Sequence, residues 1–220
     1  MDEAATRKIP SHEVTYGRLR DMILFGHLLP GQAVTIQGLI RDLEAGMTPV
    51  REAIRRLTAE GALMPQGNRR VAVPELTPAL LDQLAFVRLT VEPKLAELAG
   101  RHLTPAQIDR LEGIDEEVDR AIRAGAVSGY LESNHAFHFA LYEASDAPIL
   151  VDIARSLWLR FGPSLRVVCA RYGASALPDR HEEALAAMRA GDHAALARAI
   201  ENDIQQGIDQ IRQAQAEGGV

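Results

Sequence analysis

Apolar residues recur three and four positions apart along most of the chain, the spacing that places them on one side of an α-helix. From residue 78 onward the pattern predicts six helices: Pro78–Ala99, Thr104–Ala124, Ser128–Ala144, Pro148–Arg171, Leu177–Ala190 and Asp192–Gln213. Gly100, Gly125, Gly173 and Gly191 punctuate them, and Gly162-Pro163 is expected to kink or interrupt the fourth. Each helix is amphipathic, so together they predict a bundle with its own core.

The first part of the chain reads differently. Val14–Phe25 predicts a helix that buries Leu19, Met22 and Ile23 and ends at Gly26. After the turn at Leu29-Pro30-Gly31, Val34 and Ile36 suggest a short strand, and Gln37–Glu44 a second helix burying Leu39, Ile40 and Leu43. Ala45-Gly46-Met47 is a tight turn into a third helix, with Thr48 expected as its N-cap, Pro49 at its first position and Gly61 at its end. Ala62–Pro65 and Val71–Val73 then read as two strands around Gln66-Gly67-Asn68. Helix, strand, helix, turn, helix and hairpin is the order of a winged helix-turn-helix.

In the third helix Val50, Ala53, Ile54 and Leu57 share one face, and Arg51, Glu52, Arg55 and Arg56 the other. Arg51 falls in the first turn, where the helix dipole disfavours a cation, a misfit that an anion docked at that end relieves. Arg69 and Arg70 sit beside the hairpin tip. Taken alone, a solvated amphipathic helix and an ordinary hairpin explain the same residues.

Charge separates the two parts. The net charge of −6 looks wrong for a DNA-binding protein. Yet residues 1–76 carry ten Lys/Arg against nine Asp/Glu, while the remainder carries fourteen against twenty-one. The positive charge is local, so contact with DNA should be short-range and salt-sensitive. The single Cys169 rules out an internal disulfide framework and fits a reducing compartment. The polar, acid-bearing start is unlike a secretory signal and no apolar run suffices to span a bilayer, so a cytoplasmic location without membrane contact is expected.

Chemistry enters where the bundle helices break their apolar stripes. Asn134 and His138 lie one turn apart between Leu131 and Leu141. His181 falls between Leu177 and Leu185, Asp203 between Ile200 and Ile204, and Arg88 between Leu84 and Val91. A buried polar group needs a partner, and two imidazoles with a carboxylate suit Zn, Ni, Mn or Fe, with the Asn134 amide as a weaker fourth donor. Arg88 would then clamp, bidentate, a carboxylate whose other oxygens reach the metal. The plainer reading keeps each histidine as a hydrogen-bonded core residue and pairs Arg88 with Asp203. His12, His27, His102, His135 and His193 read as surface residues, and Trp158 and Phe161 as packing.

The segments GHLLPG, TPVREAIRRLTAEGAL and GNRRVAVP resemble the N-terminal domain of the GntR family of bacterial transcription regulators. The resemblance implies DNA contacts from Gln37, Thr48 and Arg51 and from the wing at Gly67, Asn68 and Arg69; Arg55 and Arg70 join them as neighbouring cations. Gly46-Met47 stands where the family usually has Ser-Arg, so an arginine often used to read guanine is missing. NHAFHFALYEASDAPIL and RHEEALAAMRAGD resemble the FCD ligand-binding domain of the FadR-type branch, and six helices resemble its VanR-like subgroup. That branch commonly holds a divalent metal through an aspartate and three histidines beside an organic acid. The corresponding positions here are Asn134, His138, His181 and Asp203, so an amide replaces the first carboxylate and a carboxylate the last imidazole. Arg88 corresponds to a pocket-facing arginine.

The sequence therefore predicts a mostly α fold: a winged helix-turn-helix over 1–74, a hinge at 75–78, and an effector-binding and dimerising six-helix bundle over 79–220. The expected function is a ligand-responsive regulator, a repressor rather than an enzyme, acting as a homodimer on a palindromic operator. The rivals are a metal-dependent bundle enzyme with an appended DNA-binding-like domain, and a ligand-free architectural dimer.

Overall fold

The computed structural model describes residues 11–173 and 180–218. The N-terminal part holds α1 (Ser11–Leu24), β1 (Ala33–Thr35), α2 (Ile36–Asp42), α3 (Met47–Ala59), β2 (Met64–Gln66) and β3 (Arg70–Ala72). The strands form one sheet in the order β1-β3-β2, with β3 antiparallel to both and Val71 opposite Val34 and Pro65. Leu19 and Ile23 of α1, Leu39 of α2, and Val50, Ala53 and Leu57 of α3 close the core beneath it.

Two helix starts differ from the sequence reading. Thr35 caps α2, its hydroxyl accepting from the Gly38 amide at 3.0 Å, so Ile36 opens the helix instead of extending the strand. α3 starts two residues early: Gly46, in extended backbone, is the N-cap and makes no side-chain cap bond. Thr48 and Pro49 therefore lie within the first turn, where the missing proline N–H costs no helical hydrogen bond. At the wing tip Asn68 and Arg69 take positive φ, which closes the hairpin.

The bundle follows with α4 (Pro78–Gly100), α5 (Pro105–Arg123), α6 (Val127–Glu143), α7 (Pro148–Tyr172), α8 (His181–Ala190) and α9 (His193–Ala216). α4 packs most extensively on α9, and α5 on α6. Among the described residues no helix is long and apolar enough to cross a membrane. Leu177, expected on the fifth helix, lies outside the described residues, and α8 begins at His181. Pro163 does not interrupt α7, which runs through it as one helix.

α7 also seats the N-terminal part. A Cβ on Gly162 would fall 2.2 Å from the Leu24 carbonyl oxygen, so only glycine lets the end of α1 approach this closely. Arg166 donates to the Phe25 carbonyl at 3.3 Å and to the Ser128 hydroxyl at 2.9 Å. Arg160 donates through Nε and Nη2 to the Glu60 carbonyl, at 3.2 and 2.8 Å. Two cations thus satisfy carbonyls left open at the ends of α1 and α3, the favourable end of each dipole for positive charge.

Candidate ligand site and nucleic-acid face

Three helices bring the stripe residues together. One ligand atom from each of His138 on α6, His181 on α8 and Asp203 on α9 lies within 4.8 Å of the others. Both imidazoles are buried, and the Asp203 side chain is 20% exposed. Each ring is held on its Nδ1 edge. His138 Nδ1 lies 3.1 Å from the Tyr142 hydroxyl, and His181 Nδ1 lies 2.9 Å from Asp115 Oδ1. The His181 ring also stacks on Phe137 at 3.8 Å. Such outer contacts fix ring orientation around a bound cation.

His138 Nε2 lies 3.1 Å from Asp203 Oδ2, yet the contact does not have hydrogen-bond alignment, and the nitrogen is buried without another partner. Burial lowers the His138 pKa more than the neighbouring Asp203 raises it. Burial raises the Asp203 pKa, but His138, His181 and Arg88 together outweigh this and hold it below its ordinary range. A neutral imidazole therefore faces an ionised carboxylate. With the His138 proton on Nδ1, the Nε2 lone pair would face that carboxylate, an arrangement that a bridging cation relieves, so the donor set fits a metal ion.

Next to this cluster a carboxylate that the sequence reading passed over organises the interior. Glu92 is fully buried on α4, one turn from Arg88. It accepts from Arg88 Nε at 2.6 Å, Arg88 Nη2 at 3.3 Å, Tyr142 Oη at 2.8 Å and Trp158 Nε1 at 2.8 Å. The expected bidentate clamp of Arg88 on an effector is thus corrected: those two nitrogens already hold Glu92. Nor does Arg88 form the alternative ion pair with Asp203. Its guanidinium lies 4.1 Å from the Phe161 ring centre and 4.8 Å from that of Trp158, and Nη1 alone is left buried without an acceptor. Arg88, Asn134 and Asp203 line one cavity of about 30 Å³, together with Tyr130, Gln206 and Gly207. A larger cavity of about 370 Å³ lies between the Val73–Leu76 segment, α4 and α7. Its lining is mostly aliphatic and includes none of the three clustered side chains, of which Asp203 alone lines the smaller cavity.

His135 is not the surface residue the pattern suggested. It stacks on Phe139 at 4.4 Å and meets Phe25 of the N-terminal part edge-on at 5.7 Å. Burial pushes its pKa down to about 3. Cys169 is buried, and desolvation pushes its thiol up to about 12, in keeping with an unreactive packing residue. Trp158 packs as expected and is also a hydrogen-bond donor.

At the other end of the chain Gln37, Thr48, Arg51, Arg55, Gly67, Asn68, Arg69 and Arg70 are all exposed. Arg55 is paired with Glu52 at 2.6 Å. Arg56 is drawn inward, pairing with Glu13 at 2.8 Å and covering the Tyr16 ring, so it braces α1 against α3. Among the described residues Arg51, Arg69 and Arg70 have no carboxylate partner.

Residues 12–73 match the model of the bacterial regulatory proteins of the gntR family, and residues 83–206 match the FCD domain. The chain belongs to the GntR family. With an FCD domain behind its helix-turn-helix it is a FadR-type member: a ligand-responsive, DNA-binding transcription regulator and not an enzyme. It is 30% identical over 193 residues to the HTH-type transcriptional regulator McbR of Escherichia coli, covering 86% of this chain and 87% of McbR. The HTH-type transcriptional repressor RspR of the same species is 23% identical over 212 residues, covering 94% and 92%. The solved structure of E. coli McbR superposes with a TM-score of 0.89 at 27% identity, covering 94% of this chain and 99% of that one. GntR regulators bind DNA operators and are commonly dimeric.

Proposed function

We propose that this GntR regulator senses a small organic acid at a divalent metal centre held by His138, His181 and Asp203, with Asn134 as a fourth donor. The carrying observation is the meeting of those three side chains beside the unpartnered Nη1 of Arg88. His181 would ligate through Nε2, since Asp115 holds Nδ1. Zn, Ni, Mn or Fe suit two imidazoles and a carboxylate. The cation supplies a Lewis-acid anchor for an anionic effector, and Arg88 Nη1 donates to another of its oxygens. A cavity of about 30 Å³ admits only a compact acid without side-chain displacement.

On this reading residues 1–74 bind DNA, 75–78 form the hinge and 79–220 sense and dimerise. Gln37, Thr48, Arg51 and Arg55 meet the major groove or its phosphates, and Gly67, Asn68, Arg69 and Arg70 follow the backbone from the wing. The exposed large apolar side chains of the bundle, Leu80 (45%), Phe86 (73%), Ile149 (76%) and Ile153 (38%), all lie on α4 and the first half of α7. That face suits a second copy of the chain, which gives two recognition helices for a palindromic operator. Six bundle helices among the described residues favour the VanR-like subgroup, and likeness to RspR favours repression.

Effector and operator affinities must be reciprocally coupled. Titrating compact mono- and dicarboxylates into the metal-loaded protein while following fluorescence anisotropy of its own promoter DNA tests this. At least one acid should weaken DNA binding, and the effect should vanish in Arg88→Met. Acids that bind in the bundle with no change in DNA affinity would overturn the switch.

A further inference from the structure

The hydrogen bonds around His138 constrain which of its nitrogens carries the proton, an inference that rests on the proposed metal site. Tyr142 has one hydroxyl proton. Glu92 Oε2, part of the carboxylate paired with Arg88, lies 2.8 Å from that oxygen and accepts its hydrogen bond. Arg88 and Trp158 turn three more donors on the same carboxylate, so all four of its hydrogen bonds are accepted ones. The Tyr142 proton is therefore committed to Glu92, and the phenol oxygen has only lone pairs to offer His138. At 3.1 Å His138 Nδ1 must then be the donor. A neutral imidazole with its proton on Nδ1 has a bare lone pair on Nε2, the atom 3.1 Å from Asp203 Oδ2.

We propose that Glu92 and Tyr142 are positioning residues that lock His138 in its Nδ1–H tautomer and so present Nε2 to a cation. Glu92 is thereby shared between two parts of the site. One oxygen orients Tyr142 and through it the metal ligand; the pair of oxygens holds the Arg88 fork, leaving Nη1 directed elsewhere. The residue that fixes the metal-ready imidazole is also the one that rations the donors left for an effector. Neither residue touches the cation, so each acts through His138.

Nitrogen-15 NMR of histidine-labelled, chelator-stripped protein reads the tautomer directly, and competition of zinc with a chromophoric chelator reads affinity. Wild type should show Nδ1 protonated and Nε2 unprotonated at His138. Tyr142→Phe removes the acceptor but keeps the ring; it should release the tautomer and weaken zinc about 10- to 100-fold. Glu92→Gln lets an amide donate to the phenol oxygen, so the Tyr142 proton turns toward Nδ1 and the opposite tautomer should appear. A wild-type His138 protonated on Nε2 would overturn the proposal, as would unchanged tautomer and zinc affinity in Tyr142→Phe. The wild-type spectrum decides even where a variant does not fold. The Nδ1–H tautomer without zinc binding would sink the metal reading and leave this one standing; zinc binding with the Nε2–H tautomer would do the reverse.

Discussion

Replacing Glu92 with leucine removes the carboxylate but nearly conserves volume, so it isolates what the buried charge does. Glu92 has no solvent exposure and Arg88 only 2%, which leaves the guanidinium no route to water once its partner is gone. Breaking a buried ion pair from one side costs about 3–5 kcal/mol because the surviving charge stays uncompensated. Tyr142 and Trp158 each lose their acceptor as well, at about 1–3 kcal/mol per buried donor, although the losses overlap as the site relaxes. A total of at least about 4 kcal/mol is expected, a large share of the roughly 5–15 kcal/mol that holds a typical fold together. Urea unfolding followed by circular dichroism measures it. The double variant Arg88→Met, Glu92→Leu removes the stranded charge and places a thioether against Trp158 and Phe161, so it should regain about half the loss. A Glu92→Leu cost below about 1 kcal/mol, or a double variant no more stable than the single one, would refute the reasoning.

His135 should shape the acid limb of stability. Its folded pKa of about 3 lies below the ordinary 6.5, so the unfolded chain binds more protons between those values and stability falls as pH drops through that window. Near pH 4.5 the loss is about 2–3 kcal/mol, and His135→Phe, which keeps the stacking on Phe139, should remove it; parallel pH profiles for the two proteins would count against this. Arg51→Ala should weaken operator binding by about 1–3 kcal/mol or, if the contact is to phosphate, lower the salt slope by about one. Wild-type anisotropy curves at every salt concentration would remove Arg51 from the interface.

Much of this architecture could be read from residue order because its signals are local. Helical spacing located the helices, Gly191 ended the eighth in a left-handed residue, and Thr77 and Thr104 capped the fourth and fifth through their hydroxyls. The meeting of His138, His181 and Asp203 was legible for a related reason: polar residues on apolar stripes must converge on something. What remained hidden depends on which partner a side chain chooses across space. Glu92 and Arg88 are one turn apart, a spacing visible in the sequence, but reading the stripe through Val91 concealed the pair. Asp115 on α5 shows no sign of its contact with His181 until the helices are packed. His135 looked off the stripe because the surface burying it comes from Phe25, more than a hundred residues earlier in the chain. Helix starts failed where capping geometry overrode residue preference, as at Gly46, which caps α3 in place of Thr48.

The bundle is proposed to hold one cation between His138, His181 and Asp203. Equilibrium dialysis of chelator-stripped protein against zinc, followed by elemental analysis, addresses this most directly. One zinc per chain is expected in wild type and none in the His138→Ala, His181→Ala variant, with operator DNA still bound by both. A wild-type protein that takes up no metal, or a double variant that retains a full equivalent, would contradict the account.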